Sequence, residues 1–293
     1  MDGFLLVDKA GGMTSHDVVA KVRKKLDTKK VGHAGTLDPM ATGVLVLGVG
    51  IATRLLPYIT DGKKSYQATI LLGVATHTDD KEGDITFTAD KSVLANISDN
   101  EINDELLKFV GKIKQRPSSV SAIKIDGKTA HARVRAGESV EIAERDVVID
   151  EIKIINIQRP GDQIEIEISV TCSAGTYIRA IARDCGDALG VGGHLSALRR
   201  TRVGAFDLAQ SISLTQLKDG QFTPLSLVGL AAQTFPVRNL ALDEVLELSF
   251  GRALSTNPSD EIFAGISGDN RLIALLANRD DRAKPITVFA AAN

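Results

Sequence analysis

Residues 43–50, GVLVLGVG, constrain the chain more than any other stretch. The run is short, continuous and apolar, with a glycine at each end, and it predicts a buried strand. The stretch before it, GHAGTLDPMAT (32–42), reads as neither strand nor helix. Gly32, Gly35 and Pro39 break both periods, so a loop is expected to feed the sheet. Asp38 stands in that loop directly before a proline, which biases its backbone to the extended region. One stiffly held carboxylate therefore sits at the mouth of a hydrophobic core. Residue type leaves two readings: Asp38 and Thr36 make a turn by accepting backbone amides, as most Asp-Pro pairs in loops do, or Asp38 is a catalytic carboxylate.

A chain of 293 residues, 43% of them apolar, has the material for about two domains with real cores. The longest apolar stretch, Val44 to Ala52, is far too short to span a bilayer. The start, MDGFLLVDK, has no basic run ahead of its apolar residues, so a cytoplasmic location is expected and no membrane partner. Cys172 and Cys185 lack a CxxC spacing and read as reduced packing residues. The histidines form no metal-ligand pattern, so no metal is expected.

The net charge of -2 speaks weakly against nucleic acid. The local distribution matters more. Residues 21–30 carry Lys21, Arg23, Lys24, Lys25, Lys29 and Lys30 against a single Asp27. A charge run is commonly only a solvated face. Its place just before the Asp38 loop favours contact with phosphates.

Local patterns place the other elements. GFLLV (3–7) reads as a strand. Thr14 and Asp17 have capping-box spacing ahead of Val18, Val19, Val22 and Leu26, which predicts a helix carrying part of the basic run. YQATILLG (66–73) reads as a strand, and THTDDKEGD (76–84) as an acidic turn-rich loop. Ser98 and Glu101 make a second capping box, and Leu106, Leu107, Val110 and Ile113 extend the helix over 99–114. An Asp126–Gly127 turn predicts a hairpin within the basic segment 115–137. Strands are expected at 147–157 and 163–172, the second alternating Ile164, Ile166, Ile168 and Val170 with polar residues. Thr176 to Leu189 reads as a helix stopped by Gly190. Helices are expected at 223–232 and at Asp243–Phe250, and two strands around Gly268–Asp269–Asn270, with a domain boundary at Gln233–Pro236.

GHAGTLDPMATGVLVLG meets every fixed position of G-H-x-G-x-L-D-P-x-A-x-G-x-L. It resembles the catalytic motif of the TruB-type tRNA pseudouridine synthases. The likeness continues over most of the chain. VDKAGGMTS (7–15) is similar to the family's D-K-P-x-G-x-T-S, with Ala10 in place of proline. Lys64 and Tyr66 fit K-x-Y, Asp80 fits T-x-T-x-D-x-x-G, and residues 115–137 resemble the insertion that closes on RNA like a thumb. GTYIR (175–179) and HLSALRRTR (194–202) are two further motifs of that family.

The resemblance implies an α+β fold. A catalytic domain over 1–235 would hold a mixed, mostly antiparallel sheet flanked by helices, with the basic thumb insertion at 115–137. A small PUA-like RNA-binding domain would follow at 236–293. It implies a tRNA pseudouridine(55) synthase that isomerises a flipped-out uridine of the T loop, with Asp38 as catalytic nucleophile. Arg179 would pair with Asp38 and keep it ionised, as an adjacent cation does. Tyr66 would stack on the uracil and serve proton transfer, with Tyr177 packing at the same pocket and Leu198 as its apolar wall. His33 would fill the space the base leaves, and Lys9 would line the RNA or the active-site wall. Lys24, Lys25, Arg199 and Arg200 would meet phosphates. The reaction has no net redox change, so no cofactor is implied. The partner is the T stem-loop of tRNA, met by a monomer.

Two other readings fit parts of the sequence. Gly48-Val49-Gly50 follows an apolar strand, as in nucleotide-binding α/β enzymes, but Thr53 stands where a third glycine is needed and no Walker lysine is present. A non-catalytic tRNA-binding or tRNA-folding chaperone would suit the basic patches, yet has no need of Asp38, Tyr66 and Arg179 together.

Overall fold

In the computed structural model, which describes residues 1–120, 124–125, 128–129, 133 and 142–290, the dominant apolar run is a strand buried at every position from Gly43 to Val49. In chain order the first elements are β1 (Gly3–Lys9), α1 (Ser15–Leu26), β2 (Val31–Ala34), β3 (Thr42–Val49), α2 (Leu56–Thr60), β4 (Lys64–Leu72), β5 (Val74–Thr76) and β6 (Ile85–Thr88). Next come α3 (Lys91–Asn96), α4 (Asp99–Leu107), β7 (Gly111–Gln115), the two-residue strands β8 (Lys124–Ile125) and β9 (Lys128–Thr129), β10 (Arg145–Gln158), β11 (Ile164–Cys172), α5 (Ile178–Ala188) and β12 (Gly193–Val203). The chain ends with β13 (Phe206–Asp207), α6 (Leu214–Asp219), α7 (Leu227–Thr234), β14 (Val237–Leu240), α8 (Leu242–Ser249), β15 (Phe263–Ser267), β16 (Leu272–Arg279) and β17 (Arg282–Val288). No helix among the described residues is long and apolar enough to cross a membrane.

The fold is compact in two units. The first gathers Met1–Asp38, Val44–Thr60 and Gly204–Asn293. The boundary expected at Gln233–Pro236 falls inside it. In this unit β1 and β2 both hydrogen-bond to β3. Val18, Val19 and Val22 on one face of α1 bury against Leu5, Val7, Leu45, Leu47 and Val49. The capping box forms: the Thr14 hydroxyl accepts from the Asp17 amide at 3.1 Å, and the Asp17 carboxylate accepts from the Thr14 amide at 2.8 Å. β14 pairs parallel with β15, and β15, β16 and β17 run antiparallel over a small core of Leu240, Leu248, Phe263 and Leu276.

The second unit holds Pro39–Gly43 and Asp61–Val203. Its sheet runs β12-β4-β11-β10-β7, antiparallel throughout, and Thr42 and Gly43 at the start of β3 pair parallel with Arg199 and Arg200. The sheet is therefore mixed, mostly antiparallel and flanked by helices, the expected α+β class. Cys172 and Cys185 are unpaired and buried, and burial pushes their thiols up to about 11 and about 12.

Three expectations change. Residues 31–34 are not loop: Val31–Ala34 pairs antiparallel with Val46–Val49, and Gly32 lies opposite Gly48. A paired strand tolerates a glycine when its partner supplies the ladder bonds. The helix over 99–114 ends at Leu107, because Gly111 takes φ 106° and β10 captures Gly111–Gln115 as a strand. Val110 and Ile113 fit the helical period but belong to that turn and strand. The helix expected at 223–232 starts later, at Leu227, where Ser226 caps it by accepting from the Gly229 amide at 3.0 Å. β8 pairs antiparallel with β9, while the expected Asp126–Gly127 turn and most of the 115–137 insertion lie outside the described residues.

Gly43 allows the close approach of β3 to β12. Its φ is 103°, and a Cβ there would sit 2.1 Å from the Arg200 carbonyl oxygen. Gly43→Ala combines backbone strain with overpacking, so a loss of about 2–4 kcal/mol is expected. A fall in the urea midpoint at unchanged m-value checks it.

Candidate active site

The Asp38 loop is held from the side of α1. The Ser15 hydroxyl accepts from the Leu37 amide at 2.9 Å and donates to the Leu37 carbonyl at 3.2 Å. Leu37 is buried, so both the peptide and the side chain before Asp38 are fixed. Asp38 itself is half-buried and lies outside regular structure, as expected. His33 sits half-buried on β2 with its ring edge-on to His16, centroids 5.4 Å apart. Lys9, expected at the RNA or the active-site wall, packs inward. It is wholly buried, and its ammonium donates to the Met13 and Ala10 carbonyls at 2.7 and 3.0 Å. It braces the turn in which Ala10 replaces the family's stiffer proline.

In the second unit, alternation along β4 puts Lys64, Tyr66 and Ala68 on one buried face. Tyr66 lies in register between Val170 on β11 and Arg200 on β12, and Leu198 stands opposite Ala68. Leu198 is buried, as an apolar wall requires. Arg200 is only 1% exposed, which burial statistics for arginine would not suggest. Arg199 is half-buried and donates to the Thr42 hydroxyl at 3.2 Å, and Arg202 is exposed. Lys64 donates to the Gly62 carbonyl at 3.0 Å. Burial, with the like charge of Arg200 adding to it, pulls the Lys64 ammonium down to about 8. K-x-Y spacing places Lys64 and Tyr66 on one strand face, but nothing in the sequence points to a lysine held below its usual range.

The helix α5 begins at Tyr177 without a side-chain cap of its own. The Gln115 carboxamide supplies the bonds instead. Its Oε1 accepts from the Tyr177 amide at 2.7 Å and its Nε2 donates to the Tyr177 carbonyl at 2.9 Å. This bracket fixes half-buried Tyr177 and aims the first turn of the helix. Arg179, in that turn, is buried. It donates to the Thr78 carbonyl at 2.8 Å, to Asp80 Oδ2 at 3.2 Å and to the Val120 carbonyl at 3.1 Å. The loop 76–84 is anchored from inside. Its outer residues are exposed, but Asp79 and Asp80 point inward, and Asp80 Oδ1 also accepts from the Thr78 hydroxyl and the Glu82 amide.

Lys24 and Lys25 lie on the exposed face of α1. With Lys21, Lys218, Thr215, Leu214 and Leu217 they line a groove of about 610 Å³ between α1 and α6. Lys25 donates to the Lys218 carbonyl at 2.7 Å. Lys218 was not singled out in sequence, because its distance along the chain hides its neighbours.

One unit thus carries a buried arginine–carboxylate pair and a tyrosine-bearing strand, and the other a motif aspartate on a braced loop. The model of the TruB family pseudouridylate synthase N-terminal domain matches residues 23–178. Models of the tRNA pseudouridylate synthase B C-terminal domain and of the tRNA pseudouridine synthase II C-terminal domain match 179–227 and 235–290. The chain belongs to the TruB family of pseudouridylate synthases. It is 49% identical to the tRNA pseudouridine synthase B of Corynebacterium diphtheriae over 98% of this chain and 95% of that protein. It is 48% identical to that of Rhodococcus jostii over 98% and 93%. Among solved structures it resembles a chain of an H/ACA ribonucleoprotein bound to a substrate RNA containing 2'-deoxyuridine, at TM-score 0.71 and 24% identity, covering 98% of this chain and 84% of that one. A chain of a Cbf5-Nop10-Gar1 complex gives TM-score 0.70 at 25% identity, covering 99% and 85%.

Proposed function

We propose that this chain isomerises a uridine in the T loop of tRNA to pseudouridine, with Asp38 as the nucleophile. The observation that carries the reading is near-full-length likeness at 49% identity to a tRNA pseudouridine synthase B, with the Asp38 motif intact in this chain. In the reaction the N1–C1′ bond breaks, the uracil turns, a C5–C1′ bond forms and the C5 proton leaves. Atoms and electrons balance within the nucleotide, so neither redox cofactor nor co-substrate enters. Asp38 serves equally for attack on the pyrimidine ring or on the ribose C1′.

A base stacked in a folded loop must be everted first, at a cost of a few kcal/mol. Stacking on Tyr66 offsets about 1–3 kcal/mol of that. Tyr66 also carries proton transfer, Leu198 and Tyr177 wall the pocket, and His33 fills the gap the base leaves. Arg179 pairs with Asp38 and keeps it negative while Asp80 fixes its other edge. Lys24, Lys25 and Arg199 hold phosphates. Arg200, shielded from solvent, acts beside Tyr66 and Lys64. Residues 1–235 form the catalytic part and 236–293 a PUA-like RNA-binding part of a monomeric cytoplasmic enzyme. A chaperone that only binds tRNA has no use for Lys64 at its lowered pKa or for a buried Arg179–Asp80 pair.

The purified chain, given tRNA labelled with tritium at uridine C5, is expected to release one equivalent of tritium per tRNA. No release from T-loop-labelled tRNA overturns the reading. Replacing Lys24, Lys25 and Lys218 with glutamate is expected to weaken tRNA binding and to lower the slope of log K against log salt by about 1 for each phosphate lost. An unchanged slope would move the RNA path off this groove.

A further inference from the structure

α5 carries a second arginine one turn beyond Arg179. Arg179 and Arg183 are four residues apart and so share a helix face. They meet two consecutive carboxylates of the loop 76–84. Arg179 Nη1 lies 3.2 Å from Asp80 Oδ2, and Arg183 Nη1 lies 3.0 Å from Asp79 Oδ2. The inner pair is 5% exposed on both sides, the outer pair 21% and 10%.

Asp79 is where several elements meet. Its Oδ2 also accepts from the buried Ser118 hydroxyl at 2.5 Å, and its carbonyl accepts from the Leu195 amide of β12 at 3.0 Å. Arg183 Nη2 donates to the Arg116 carbonyl at 2.8 Å. Asp79 has φ 60°, a left-handed conformation that Asp and Asn tolerate better than other side chains and that persists where the surroundings over-determine it. Burial alone would lower the Arg183 pKa. Asp79 and Asp184 outweigh it, and the net shift is upward, so the guanidinium stays charged.

The consequence lies in what Arg179 holds. Two of its acceptors, the Thr78 carbonyl and the Asp80 carboxylate, are carried by the residues on either side of Asp79. A rotation of the Asp79 backbone would move both at once. We propose that Asp79 and Arg183 are a positioning pair for pseudouridine formation, clamping the 78–80 backbone so that Asp80 and Arg179 stay aimed at the reacting site. The role rests on Arg179 acting in that site, as put forward above.

The test uses the full chain and C5-tritiated tRNA. Asp79→Asn keeps the left-handed backbone and an acceptor for Ser118 but removes the charge. Arg183→Met removes the other partner, and Arg183→Lys restores a cation. Single-turnover rates at saturating tRNA are expected to fall about 10- to 100-fold for Asp79→Asn and Arg183→Met, as misaimed groups cost. The tRNA Kd is expected to stay within about twofold, a split that general loosening of the fold would not produce. Arg183→Lys should recover most of the rate, and the double variant should be no slower than either single one, because the two act as a unit. Full rate in Asp79→Asn, additive losses, or a Kd that rises in step with the rate loss overturns the pair's role. If the unaltered chain itself releases no tritium, the underlying reading fails first, and the two failures are told apart.

Discussion

Asp38→Asn is expected to bind tRNA normally and to release no tritium from it. The substitution is isosteric, and the loop is held on either side of the altered residue. Leu37 is pinned on both sides of its peptide by Ser15 and by its own burial, and Pro39 restricts the backbone that follows. What the amide loses is negative charge and nucleophilicity, which a covalent route through this residue requires. The expected loss is more than about 10³-fold in single-turnover rate, the scale seen when a nucleophile is removed. The same variant separates catalysis from chaperoning, because a tRNA-folding activity should survive in it unchanged. Tritium release at a near-normal rate would remove Asp38 from the mechanism.

What the sequence made legible was local. The apolar run at β3, the Thr14–Asp17 box and the Gly190 stop after α5 each depend on residues a few positions apart, and each formed. The 107–115 stretch went the other way. Its helical period was real, but β10 offered Gly111–Gln115 a ladder of hydrogen bonds, and long-range pairing overrode local periodicity. Burial of charge was not legible either: Lys9 and Arg200 are both buried, Lys9 on backbone carbonyls of its own loop, where residue type alone favours exposure. Asp79, Arg183, Gln115 and Lys218 gave no signal of their own, since each acquires its meaning from a partner distant in the chain. For Arg183 the four-residue spacing from Arg179 was the one available clue.

Asp80→Ala is expected to damage stability as well as turnover, and the two effects can be separated. The Asp80 carboxylate lies 3.2 Å from an arginine at the same 5% exposure, and it also satisfies the Thr78 hydroxyl and the Glu82 amide. Deleting one partner of such a pair leaves the other charge where water cannot replace what was lost, at a cost of about 3–5 kcal/mol. A large drop in the urea midpoint at unchanged m-value is the expected reading. Asp80→Asn, which keeps acceptors for Thr78 and Glu82, should lose less. The decisive comparison is Asp80→Leu combined with Arg179→Met. Removing both charges also removes the desolvation cost, so the double variant should be more stable than Asp80→Ala alone. It should nonetheless make no pseudouridine, because the proposed mechanism gives the Arg179 guanidinium the task of keeping Asp38 charged. A double variant that regains stability and stays inactive would mean that this buried pair is kept for chemistry at the expense of the fold. If stability and tritium release recovered together, Arg179 would have only a structural role.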